Sequence, residues 1–220
     1  MRVEIWSDLT CPWCYVGHAR FEQALAAFPH REHVEVVHRS YELEPDRAKD
    51  DVEPLVPMLV ETQGMSEAQA QEHEDTLLRL STAEGLPYVM GRDHGATFDL
   101  HRLLHFGKEQ GRQGELMRRL MRANFGEERS VFDDDERLVA LAVEAGLDGD
   151  AARAMLADPQ AYADDVRADE REAARLGATG VPFFVLDRRL GVAGAQPTEA
   201  FTEVLEKAWA DAAGGAAGQA

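Results

Sequence analysis

This chain of 220 residues has only two cysteines, no cluster of basic residues and no long apolar run. Each shortage excludes something. Two cysteines cannot build the disulfide framework of a small secreted domain. With 23 Lys+Arg against 41 Asp+Glu the formal charge is −18. Such a chain has nothing to neutralise a phosphate backbone, so no nucleic-acid partner is expected, and the acidity reads as a solvated surface. Apolar stretches such as Val181 to Leu186 fall far short of the roughly 20 residues a membrane-spanning helix needs. The start, Met1-Arg2-Val3-Glu4-Ile5-Trp6-Ser7-Asp8, carries two acids before any apolar run forms, unlike a secretory leader. A cytoplasmic protein that engages no membrane is the expectation. Internal repeats and low-complexity linkers are likewise lacking.

The length suits one large domain or two intimate ones, at about 150 residues per domain. Val3 to Trp6 reads as a strand and Cys11 to Phe28 as a helix, with Pro12 suited to its first turn. Cys14, His18, Phe21, Leu25 and Phe28 recur at helical spacing on one face. Val34 to Arg39 is a second strand, ended by Pro45. Helical patterns then dominate to Gly177. They include a capping box at Ser66-x-x-Gln69, helices over Phe98 to Glu109 and Glu115 to Asn124, a start at Asp133-x-x-Glu136, and another at Asp158-Pro159. Val181 to Leu186 and Leu190 to Ala193 form a hairpin across Asp187-Arg188, and a helix runs from Pro197 to Trp209. The expected class is α/β interrupted by a helical insertion. Residues 1–50 and 177–212 form one discontinuous domain, 51–176 the inserted helical domain, and 213–220 an Ala/Gly-rich disordered tail.

The two cysteines stand in Cys11-Pro12-Trp13-Cys14, after a strand and at the start of a helix. Unpaired N–H groups and the helix dipole favour an anion there, which lowers the Cys11 pKa. Cys14, one turn in and on the apolar face, is less exposed. Cys11 is therefore expected to attack, and Cys14 to resolve the mixed disulfide. Rival readings fit less well. A c-type haem site needs His after the second cysteine, and position 15 is Tyr. A zinc site would draw on His30, His33 and His38, but His30 and His33 are spaced too closely for a small zinc site. The intervening helix would also hold His30 about 25 Å from the thiols. Two inert core thiols remain as the plain reading. Pro182, in Thr179-Gly180-Val181-Pro182, can simply start a strand.

Cys-Pro-Trp-Cys-Tyr-Val-Gly at a helix start, with Thr-Gly-Val-Pro before a late strand, resembles the DsbA-type thioredoxin superfamily, and within it the FrnE-like oxidoreductases. Ser40-Tyr41-Glu42-Leu43-Glu44-Pro45-Asp46 and Thr97-Phe98-Asp99-Leu100-His101-Arg102-Leu103 extend the likeness across residues 3–210. The resemblance implies a thioredoxin fold whose inserted helical domain packs over the dithiol. It also implies Cys11 as nucleophile, Cys14 as resolving thiol, a cis Pro182, and a Val181 backbone offered to a bound peptide strand. The second cysteine pair of the best-known FrnE-like isomerase is missing. Kappa-class glutathione transferases and 2-hydroxychromene-2-carboxylate isomerases, in the same branch, carry Ser at the position matching Cys11. A glutathione-dependent isomerase of a small aromatic substrate is the alternative activity.

Several other residues are candidates. Asp8 either caps the helix or acts as a carboxylate that moves a proton to Cys14 or opposes the thiolate. His18 reads as a packed helix residue. His101 and Arg102 could approach Cys11 if the insertion folds over it, although Arg102 would ordinarily pair with surface acids. Trp13 is expected as an apolar rim touching substrate, and Trp6 as core. The expected partners are protein or small-molecule disulfides, in a monomer or homodimer. No metal and no resident cofactor are expected, with glutathione as an optional co-substrate.

Overall fold

Alternation along the first strand decides the layering. In β1 (Arg2–Ser7) Val3 and Ile5 face one side of the sheet and Glu4 and Trp6 the other, as a period of two requires. The computed structural model describes residues 1–217, with side chains through residue 212. α1 (Pro12–Ala27) leads to β2 (Glu35–Ser40), which runs parallel to β1 with Ile5 opposite His38. The insertion follows as β3 (Glu53–Pro54), α2 (Leu55–Gln63), α3 (Glu67–Ala83), β4 (Asp93–His94), α4 (Phe98–Glu109), α5 (Gln113–Gly126), α6 (Asp135–Glu144), α7 (Gly149–Ala157) and α8 (Ala163–Arg175). The chain then closes with β5 (Phe183–Leu186), β6 (Leu190–Ala193) and α9 (Thr198–Ala217). The four-stranded sheet has the order β2-β1-β5-β6, with β5 antiparallel to both its neighbours. This is the expected thioredoxin arrangement with a helical insertion.

One sheet face packs Val3, Ile5 and Phe184 against Phe21 of α1 and Phe201 and Leu205 of α9. The Phe184 ring lies 4.6 Å from Phe201 and 5.4 Å from Phe21. On the opposite face Trp6 is fully buried against Ala173 of α8, and its indole N–H donates to the Asp169 carbonyl at 2.9 Å. Carboxylates buried here need partners. Glu4 is held by Arg39 and Arg188, and Asp169 accepts from Arg39 and from the Ser40 N–H. The last helix of the insertion thus covers the sheet. A further core joins the insertion to the first turn of α1: Leu9, Cys14 and Tyr15 pack among α4, α5 and α6 residues, with Tyr15 stacked on Phe125 at 4.9 Å.

Several element boundaries depart from the sequence reading. The Ser66–Gln69 capping box is present in both directions. α6, however, is capped by Asp134, whose carboxylate accepts from the Arg137 N–H, while Asp133 sits before it at φ +49°. Asp158-Pro159 opens a turn rather than a helix. Asp158 accepts from the Gln160 N–H, and Arg102 grips the Asp158 and Ala161 carbonyls, holding this backbone until α8 begins at Ala163. α2 and α7 were not foreseen. α9 runs on through Ala217, where disorder was expected from residue 213: each residue added to a formed helix gains a hydrogen bond, and the alanines here offset the two glycines among them. The rest of the expected tail, 218–220, lies outside the described residues.

Two buried imidazoles sit between α1 and the sheet. Ser7 Oγ and His18 Nε2 are hydrogen-bonded at 2.7 Å, and the His18 ring stacks on His38 at 5.1 Å. Burial pushes His18 down to about 4 and His38 well below its ordinary value. The unfolded chain takes up these protons below about pH 6.5 and the folded chain does not, so stability falls as pH drops from about 6.5 towards 4. His18 alone is expected to cost on the order of 3 kcal/mol across that window. Urea midpoints between pH 7 and 4 test this: the midpoint falls, and falls less in His18→Gln. A midpoint unchanged between pH 6.5 and 4.5 contradicts it.

Candidate active site

β1 ends at Ser7, and Asp8-Leu9-Thr10 turn the chain so that Cys11 becomes the N-cap of α1, with extended φ/ψ of −82° and 112°. Pro12 follows as the first helical residue, where its missing N–H costs nothing. The Cys11 carbonyl accepts from the N–H groups of Cys14 at 3.0 Å and Tyr15 at 3.3 Å. Cys11 is 6% exposed and Cys14 is fully buried. The Val181–Pro182 bond is cis, and the Cys11 thiol points to the Val181 carbonyl at 3.8 Å. Gly17, one turn beyond Cys14, permits this closeness: a Cβ there would meet Pro182 Cγ at 3.0 Å and the Ala195 backbone at 3.4 Å.

The two thiols are electrostatically unequal. A hydrogen bond from Cys14 lowers the Cys11 pKa, burial opposes it, and the N–H groups of Cys14 and Trp13 lower it further, while the Asp8 charge works against them. The net direction is down. Cys14 goes the other way: burial pushes it well above its ordinary value, and its coupling to Cys11 adds to the rise. A thiolate is thus available only at the outer position.

Asp8 does not cap α1. It is fully buried, accepting from the Leu43 N–H at 2.7 Å, from the Thr10 N–H at 3.4 Å and from His101 Nε2 at 3.4 Å. Burial would raise its pKa, but the hydrogen bond and charge of His101 and the Leu43 N–H hold the carboxyl below its ordinary value. His101, on α4, therefore reaches the underside of the dithiol by way of Asp8. Arg102, the next residue, does not approach Cys11, nor does it lie at the surface. It is buried, bonded to Asp99 at 2.6 Å and to the Ala161 and Met155 carbonyls. His18 belongs to the core described above, and His30 and His33 stack on Trp209 near the far end of α1.

Trp13 is 39% exposed and overhangs a cavity of about 410 Å³ that opens beside Cys11. Leu43 and the α2 residues Leu55, Met58 and Leu59 form its apolar wall. The polar wall was not legible in the sequence. Thr10 Oγ1 and His94 Nδ1 meet at 3.0 Å, His94 Nε2 donates to Glu44 at 2.9 Å, and Arg92 donates to Glu74 at 2.8 Å. These partners lie far apart along the chain with no local spacing to betray them. Glu42, beside Leu43, is pushed up to about 7 by burial, which His101 and Arg167 oppose.

Residues 2–206 match the DSBA-like thioredoxin domain family. The crystal structure of a probable DsbA oxidoreductase from Streptomyces coelicolor is similar at 68% identity and TM-score 0.93, covering 96% of this chain and 90% of that one. A 2-hydroxychromene-2-carboxylate isomerase resembles the chain at TM-score 0.70 and 16% identity, with both chains covered in full. The cytosolic disulfide reductase DsbM of Pseudomonas aeruginosa, solved with GSH, resembles it at TM-score 0.64 and 20% identity, covering 94% of this chain and 98% of that one. At these identities the last two share the fold alone.

Two outcomes follow from the geometry. Removing the Asp8 charge in Asp8→Asn lowers the Cys11 pKa further, so the pH midpoint of Cys11 alkylation by iodoacetamide shifts down; an upward shift contradicts the electrostatic account. Gly17→Val forces side-chain carbon against Pro182, at a cost of about 1 to 3 kcal/mol, and slows Cys11 alkylation at fixed pH. Unchanged stability and unchanged alkylation would show that the close approach does not matter.

Proposed function

The chain belongs to the DSBA-like thioredoxin domain family, and from that premise we propose that it is a thiol–disulfide oxidoreductase acting as reductase or isomerase through Cys11 and Cys14. The observation that carries this reading is the inequality of the two thiols: an N-cap cysteine with lowered pKa, one helical turn from a buried cysteine whose pKa is raised. The Cys11 thiolate attacks one sulfur of a substrate disulfide, forming Cys11–S–S–R and expelling the other half as a thiolate. Cys14 then gives up its proton and attacks the Cys11 sulfur. The second thiolate leaves and takes up a proton. Two electrons pass from the dithiol to the substrate, and no resident cofactor is needed. In isomerase work the released thiolate instead attacks elsewhere in the same substrate.

Pro182 and Val181 border the nucleophile in this reading, with the Val181 backbone available to pair with an extended peptide, and Trp13 supplies an apolar rim. Asp8 and His101 modulate charge beneath the dithiol. We place the protein in the cytoplasm, where a reducing thiol pool keeps such dithiols charged with electrons. Among the described residues no helix is long and apolar enough to cross a membrane. The DsbM neighbour, solved with GSH, makes glutathione one co-substrate to try. A second reading is a glutathione-dependent isomerase of a small aromatic molecule, for which the apolar wall of the cavity beside Cys11 would take the aromatic ring. Turnover that survives Cys14→Ser would select it.

Insulin reduction tests the main proposal. The protein is expected to precipitate insulin chains with a regenerating reductant. Cys11→Ser should lose at least about 100-fold, and Cys14→Ser should accumulate a Cys11 mixed disulfide visible by mass spectrometry. No reduction by the intact protein, or full activity in Cys11→Ser, refutes it.

A further inference from the structure

Accepting Cys11 as the nucleophile, as the preceding reading does, the walls of the cavity beside it say which disulfides reach it. One side is apolar: Trp13, Leu43, Leu55, Met58 and Leu59. Leu43 is 47% exposed and Trp13 39%, so two of the three most exposed large apolar residues among those described frame this mouth. Leu43 is not a loose side chain on a free loop, because its N–H is anchored at 2.7 Å to the buried Asp8 carboxylate. An apolar surface held open beside a nucleophile gains free energy when substrate covers it.

The other side is ionic but offers no spare positive charge. The lining carries the carboxylates Glu44 and Glu74 against a single guanidinium, Arg92. Arg92 is already committed, donating to Glu74 at 2.8 Å and to the Tyr88 hydroxyl at 2.5 Å, with its plane over the Tyr88 and Phe125 rings at 4.9 and 5.0 Å. His94 is committed too, bridging Thr10 and Glu44. His73 and Gln63 complete the polar lining, which has no lysine. An incoming carboxylate would lose its hydration and meet a lining in which Arg92 offsets Glu74 while Glu44 shares its one guanidinium, Arg47, with Asp51 and Glu53, in a chain whose formal charge is −18.

We propose that this cavity prefers disulfides flanked by uncharged, apolar groups to those flanked by carboxylates. Leu43 and Glu44 are the specificity-determining residues. The chemistry is the exchange already written, in which the dithiol is oxidised and the substrate disulfide reduced, so selection acts on docking alone.

The test uses the disulfide dimers of two blocked peptides, acetyl-Leu-Cys-Leu-amide and acetyl-Glu-Cys-Glu-amide, together with oxidised glutathione. Each is mixed with the reduced protein at pH 8, where an ordinary imidazole is neutral. Rates of Cys11–Cys14 oxidation are divided by the rate of the same disulfide with dithiothreitol, which removes differences in intrinsic sulfur reactivity. The leucine peptide is expected to lead the glutamate peptide and oxidised glutathione by about tenfold or more. Leu43→Ser should shrink that lead by slowing the leucine peptide, and Glu44→Gln by speeding the two acidic disulfides a few-fold. Acidic disulfides that react as fast as the leucine peptide, or a lead untouched by both variants, overturn the proposal. If no disulfide oxidises the pair, the failure lies instead with Cys11 as the nucleophile.

Discussion

A carboxylate with no exposed surface must be surrounded by donors, and the donors around Asp8 come from segments that nothing else would bring together. The Thr10 N–H belongs to the turn before the dithiol, the Leu43 N–H to the segment after β2, and His101 to the insertion. Left unpaired, such a buried charge would cost several kcal/mol, so the three segments are obliged to converge beneath the cysteines. The same charge acts on the chemistry. It raises the Cys11 pKa, against the N–H groups of the first helical turn and the Cys14 hydrogen bond that lower it. The helix start wins, but by less than it would alone.

The insertion is therefore part of the site. Tyr15 stacks on Phe125, and Asn124 donates to the Leu9 carbonyl at 2.8 Å, so α5 holds both the turn before Cys11 and the helix after it. α8 is bound to the sheet through Trp6 and Arg39. The cavity beside Cys11 takes its far wall from α2, whose small apolar cluster with α3 is separate from the larger cores.

What could be read from the sequence was what adjacent residues decide. The strand–CPWC–helix start, the Ser66–Gln69 capping box and the hairpin turn at Asp187-Arg188, both at positive φ, are local patterns with local causes. The errors arose where distant groups intervened. Asp158-Pro159 has the signature of a helix start, yet Arg102, more than fifty residues earlier, holds that backbone in a turn. Asp8 has the spacing of a capping residue, yet its partners are Leu43 and His101. Asp133 and Asp134 are equally good caps by type, and only the backbone path of the turn chooses between them. The cysteines were legible as a pair, but the charge balance of the adjoining cavity depends on Arg92, Glu74, His94 and Glu44 finding one another across the insertion.

The balance of forces on Cys11 also bears on the direction of electron flow. A dithiol becomes a strong oxidant when its reduced form is stabilised, chiefly by a thiolate held far below its ordinary pKa. Here the lowering by Cys14 and the backbone N–H groups is opposed both by burial and by the Asp8 charge, while Cys14 is driven upward. Burial and the Asp8 charge thus work against stabilisation of the reduced form, which is the direction the reductase or isomerase proposal needs. An apolar, acid-lined entrance would add a second selection, reducing disulfides that bring apolar surface to Leu43 and Trp13 ahead of acidic ones.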